Sequence, residues 1–407
     1  MLALDTPSKC ILNTNTPINL LPPELLAGVF WSVIRDGCAF GRIRKTVYYT
    51  LTLCSVCSNW RSVILSNPSF WSYIPVVDMG HSHYLTRLCL ERSKESPIDI
   101  LIHLHGKSGD EDWPGQQELI LHASRIRSVY VSGKSCEHVL SLLGRVLGDQ
   151  LPKLLTGLSI RVRFPSDVTP GGSWNSNITY WYNSIQRNTT KICDQLHTFH
   201  LDGVSISEFR GWEGSSFSGL RELVLSSEHA YYEGMSHIMT TANNLQLLEF
   251  HGPLEWTSDP TVLKPILRPG QGSKVLRLHK VPFGTLRQGI KWIVPEAWKV
   301  EMLIETRLSQ PLRALQNSST VTALSLDNNE GPIHTGHYLR KILAALPNIH
   351  SLTIERFELV ESTLSGMIRR HDGAEAEFPR LSVLRLHSSR VLDHDAFKCV
   401  IASHPIR

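Results

Sequence analysis

"LRELVLSS", residues 220–227, carries the reading on which the fold turns. Its apolar side chains follow the order apolar-x-x-apolar-x-apolar at Leu220, Leu223 and Leu225. The closing pair is spaced by two, which places both on one face of a short strand. The same phrase stands at Ile126/Val129/Val131, Leu155/Leu158/Ile160, Leu196/Phe199/Leu201 and Leu245/Leu248/Phe250. It returns at Ser273/Leu276/Leu278, Val321/Leu324/Leu326, Ile349/Leu352/Ile354 and Leu381/Leu384/Leu386. "PIDILIHLH", 97–105, reads as an earlier strand.

The final apolar positions of the nine phrases are separated by 29, 41, 24, 25, 28, 48, 28 and 32 residues. The interval of 48 is nearly two periods and predicts a degenerate unit near "WKVEMLIETRL", 298–308. A phrase of this form at this period is the leucine-rich-repeat signal. One such unit does not bury its own leucines, whereas stacked units share a continuous core. Segments between phrases suit helices, such as 136–147 and 336–346, and Leu346-Pro347 and Phe378-Pro379 stop the chain before the next strand. The expectation is an α/β chain whose residues 76–407 form an irregular solenoid, with short parallel strands inside and helices or loops on the convex side. The alternative is an ordinary α/β domain with several Leu-rich parallel strands.

Residues 1–17 are polar and read as a flexible lead. In "INLLPPELLAGVFWSVI", 18–34, Pro22 and Pro23 suit a helix start, and Glu24 complements its positive end. Leu25, Leu26, Val29, Phe30 and Val33 recur at helical spacing. Residues 35–50 read as a polar connector. Leu53, Val56, Cys57, Trp60, Val63 and Ile64 then fall within about 120° of arc on one helix. "SNPSFWSYI", 66–74, ends that helix and adds Phe70 and Trp71. Cys54 and Cys57 form the one C-x-x-C spacing. Neither a βαβ context nor a second ligand pair accompanies it, so the spacing reads as helical periodicity, not redox or zinc chemistry.

The block at 18–75 resembles the F-box: Leu21-Pro22-Pro23-Glu24-Leu25-Leu26 with Phe30, then Leu53-x-x-Val56-Cys57-x-x-Trp60-Arg61, then Pro68-x-Phe70-Trp71. Its connector is longer than the usual pattern. With the repeats, the chain resembles fungal-type F-box proteins that carry a leucine-rich-repeat-like solenoid. The resemblance implies a three-helix module that docks the Skp adaptor and, through it, a cullin. It implies Leu21, Pro22, Pro23, Leu25, Leu26, Phe30, Val56 and Trp60 as adaptor contacts. The alternative for most of these is the module's own core. Pro22 favours the partner, as a rigid apolar ledge at an exposed helix start.

The implied function is the substrate-recognition subunit of a Skp–cullin–F-box ubiquitin ligase. The alternative is a repeat scaffold without ubiquitin transfer. Target contacts are expected at strand positions between the buried ones, namely His197, His200, Glu222, Glu249, Arg277 and Arg385. Trp174 and Trp181 belong to the same set, in the aromatic insertion "VTPGGSWNSNITYWYN", 168–183. Those rings serve either a contact surface or packing against the repeats.

The formal charge of +4 over 407 residues, without a dense basic run, points to neither nucleic acid nor a membrane surface. No P-loop, G-x-G-x-x-G, H-E-x-x-H or G-x-S-x-G is present, so no enzyme and no cofactor are expected. The closest histidine pairs, His81/His83 and His103/His105, lack a second ligand pair, and no metal is expected. Eight scattered cysteines and the lack of a signal-peptide pattern predict a cytoplasmic or nuclear protein.

Overall fold

A computed structural model describes residues 16–37, 43–77, 83–104, 116–134, 136–147, 152–162, 191–203, 216–226, 238, 241–251, 274–279, 298–305, 321–327, 336–369 and 378–406. The chain divides into two compact units, Met1–Asn188 and Thr189–Arg407.

The first unit opens with a 3-10 turn, Pro17–Leu20, and three helices: α1 (Pro23–Gly37), α2 (Ile43–Val56) and α3 (Ser58–Ser66). Pro23 begins α1, where its missing N–H costs nothing, and Glu24 lies in the first turn. Leu26, Phe30 and Ile34, four residues apart, make the buried stripe of α1. The Phe30 ring meets Trp60 at 4.7 Å and Phe70 at 6.4 Å between centroids. Trp31 stacks on Phe70 at 5.1 Å and reaches Tyr73 at 6.3 Å. Each such buried side chain contributes roughly 1.5–3 kcal/mol by removal of apolar area from water.

Two sequence expectations are corrected here. The single helix expected over 53–64 is broken. Val56 ends α2, Cys57 is extended at φ −156° and ψ 171°, and Ser58 starts α3. The Arg61 Nε donates to the carbonyl of Cys54 at 2.9 Å, satisfying an orphan group at the end of α2. Cys54, not Cys57, is therefore the buried member of the pair, and Cys57 is half-buried. The polar connector expected over 35–50 is also shorter, because α2 already begins at Ile43.

Four parallel strands follow: β1 (Tyr73–Val77), β2 (Ile98–His103), β3 (Ile126–Gly133) and β4 (Gly157–Val162). Their register aligns Ile74, Ile100, Val129 and Leu158 in one buried row and Val76, Ile102, Val131 and Ile160 in the next. These rows are the shared core that stacking provides. The phrases at 126–131 and 155–160 thus do what their spacing predicts.

Strand β1 has no counterpart in the sequence reading. It carries Pro75, which suits a strand paired on one side. Helix α4 (His83–Arg92) anchors it through Thr86, whose hydroxyl donates to the Pro75 carbonyl at 2.6 Å. Trp71 links helices to strands. Its Nε1 donates to the Ile64 carbonyl at 3.0 Å, and the Arg92 guanidinium lies 5.2 Å over its ring. Helices α5 (Gln116–Leu121) and α6 (Cys136–Leu147) complete the described α-helices of this unit, α6 covering the stretch its periodicity predicts.

Among the described residues, the second unit has eight parallel strands in one sheet. They are β5 (Thr198–Asp202), β6 (Glu222–Ser226), β7 (Leu247–His251), β8 (Lys274–His279), β9 (Trp298–Glu305), β10 (Val321–Asp327), β11 (Ser351–Glu355) and β13 (Val383–His387). Strand β9 is the unit that the interval of 48 predicts. Phe199, Leu223 and Leu248 form one buried row, and Leu201, Leu225 and Phe250 the next. A second, two-stranded sheet pairs β12 (Glu358–Leu359) with β14 (Arg390–Val391). Helices α7 (Gly336–Ala344), α8 (Glu361–Ser365) and α9 (His394–Ser403) are also described in this unit.

Three strands leave the sheet through the same backbone device. The residue after β5, β11 and β13 has positive φ: Gly203 at 70°, Arg356 at 60° and Ser388 at 51°. Glycine adopts this region freely, whereas other residues lose about 1–2 kcal/mol there. His404 closes the last unit from α9. Its Nδ1 accepts from the Leu381 N–H at 3.4 Å and its Nε2 faces the Met367 carbonyl at 2.8 Å.

Candidate interaction surfaces

Helix α1 has two apolar stripes of identical spacing, and the first unit covers one of them. Leu26, Phe30 and Ile34 are 0%, 1% and 1% exposed, whereas Leu25, Val29 and Val33 are 59%, 39% and 44% exposed. Pro22 and Pro23 are exposed at the head of the second stripe, and Leu21 is half-buried beside them. Leu26 and Phe30, expected as adaptor contacts, therefore lie in the module's own core. Val56 is exposed at the end of α2. Trp60 is half-buried against Phe30, and its Nε1 donates to the Asn19 carboxamide at 2.6 Å. That bond ties the Pro17–Leu20 turn to α3 and sets the chain leading into Pro22. Val29 and Val33 were not singled out from sequence as contacts. The signal was present, since 25, 29 and 33 repeat the i, i+4 spacing of 26, 30 and 34.

The thiols of the first unit are set by burial. Desolvation raises the Cys54 thiol against the opposing pull of Arg61 and Arg92. Burial pushes Cys89 up to about 12. Asp99, buried on β2, accepts from Arg127 Nε at 3.0 Å and from the Ser128 hydroxyl. The hydrogen bond to Asp99 raises Arg127 above the ordinary arginine value, more than burial lowers it. This is a structural tie between β2 and β3, because Arg127 and Ser128 of β3 engage the buried carboxylate of β2.

On the second unit, His200, Glu249 and Arg277 occupy the partly exposed face of β5, β7 and β8, in one register row with Val224. Glu222 lies one row away, beside Leu247. These polar side chains pair along the sheet. His200 Nε2 stands 3.3 Å from Glu222, His251 Nε2 is 2.6 Å from Glu249, and Arg277 is 3.4 Å from the same carboxylate. His197 is exposed at the entry of β5, where its carbonyl accepts the Arg221 and Glu222 N–H groups. Arg385 is exposed on β13 and donates to the Ser351 hydroxyl at 3.2 Å. The structure thus brings His200, Glu222, Glu249 and Arg277 together and leaves His197 and Arg385 apart from them. Trp174, Trp181 and the insertion 168–183 lie outside the described residues.

Among the described residues, no group of three or more His, Cys, Asp or Glu side chains could hold a metal ion. No described helix is long and apolar enough to cross a membrane.

No protein-family description matches the chain. No curated protein matches its sequence at a significant level. Among solved structures, it is similar to the leucine-rich repeat-containing protein LegL7 from Legionella pneumophila, at 15% identity and a TM-score of 0.39. That likeness covers 69% of this chain and 90% of LegL7.

Proposed function

We propose that the chain is a non-catalytic substrate receptor of a Skp–cullin–F-box ubiquitin ligase. The helices at 18–75 hold the Skp adaptor, and the repeats hold a target protein. Transfer chemistry belongs to other subunits, and this chain supplies proximity. The observation that carries the reading is the second stripe of α1: Leu25, Val29 and Val33 stand at the surface of a helix whose other stripe is fully buried. Contiguous exposed apolar side chains on a small helical module mark a protein contact. Pro22 and Pro23 extend that ledge without entropic cost on binding.

The test is co-purification with the Skp adaptor. The wild-type chain should retain the adaptor, and Leu25→Asp combined with Val29→Asp should lose it while staying folded. Adaptor retained by the double variant would refute the docking face. If the adaptor binds, target half-life in cells with and without the chain separates a receptor from a scaffold that assembles complexes without ubiquitin transfer.

A further inference from the structure

We draw no further inference here: the strongest candidate, the half-exposed polar face of β5 to β8 with His200, Glu222, Glu249, His251 and Arg277, belongs to the interaction surface already described, its side chains pair with one another, and nothing in the structure shows what covers it.

Discussion

Two substitutions five residues apart on α1 should behave as opposites. Phe30 is buried to 1% and touches Trp60 at 4.7 Å and Phe70 at 6.4 Å between ring centroids. Phe30→Ala removes the ring's transfer energy, leaves a cavity and loses both aromatic contacts, for about 3–5 kcal/mol in all. That is a large share of the total stability of a domain this size. Leu25, at 59% exposure, has most of its surface already in water. Leu25→Asp should therefore change stability by no more than about 0.5 kcal/mol. The new carboxylate also sits in the first turn of α1, where the helix dipole favours it. Urea unfolding followed by tryptophan fluorescence includes a signal from this core, because Trp31, Trp60 and Trp71 all sit in or beside it. Adaptor co-purification gives the second readout. Phe30→Ala should lose stability, and Leu25→Asp should lose only the adaptor. Comparable destabilisation by both would show that Leu25 is covered, and the docking face would fall with it.

His404 should make the last repeat acid-labile. Burial, with help from Arg369, lowers its pKa below the ordinary 6.5, and the Met367 carbonyl pulls only partly the other way. The unfolded chain then binds the proton more readily, so the contribution is complete above about 6.5 and is lost as pH falls through the lower folded value. Amide-exchange protection in α9, taken relative to the intrinsic rate at each pH, should fall between neutral and mildly acidic pH, and His404→Gln should abolish that loss of protection; an unchanged protection profile would contradict it. Cys89, held near 12, should resist maleimide at neutral pH in the native chain, while exposed Cys399 reacts. Mass spectrometry of the labelled sites checks this, and prompt labelling of Cys89 would show that it is not buried. Gly203→Ala should cost the second unit about 1–2 kcal/mol, because φ at this position is 70°. A neutral result in thermal unfolding would mean that the strand exit relaxes.

Much of the repeat architecture was legible in the chain itself. The phrase positions land on β3 to β8, β10, β11 and β13, since each strand must place two apolar side chains on the same face. Even the degenerate unit at β9 was implied, by an interval of two periods. Strand β1 was missed because it has no phrase of its own. It is a strand only because β2 pairs with it and α4 holds Pro75. The break at Cys57 was missed for the opposite reason. The apolar positions on either side stay in helical phase, while the extended backbone of Cys57 breaks the helix and the Arg61 side chain reaches the Cys54 carbonyl. Among the candidate contacts, His200, Glu222, Glu249 and Arg277 were placed by alternation alone. Their mutual pairing depends on register, which no single strand contains.

Helix α1 shows where the division lies. The sequence by itself determined that two stripes, Leu25/Val29/Val33 and Leu26/Phe30/Ile34, run along one helix. Both are apolar and both repeat every four residues, so periodicity ranks them equally. Only the tertiary structure decided between them. Phe30 finds Trp60 and Phe70, and that burial turns the neighbouring stripe, about 100° around the helix, out to the surface. Which face is core depends on contacts made by residues distant in sequence, and those are fixed only when the chain is folded.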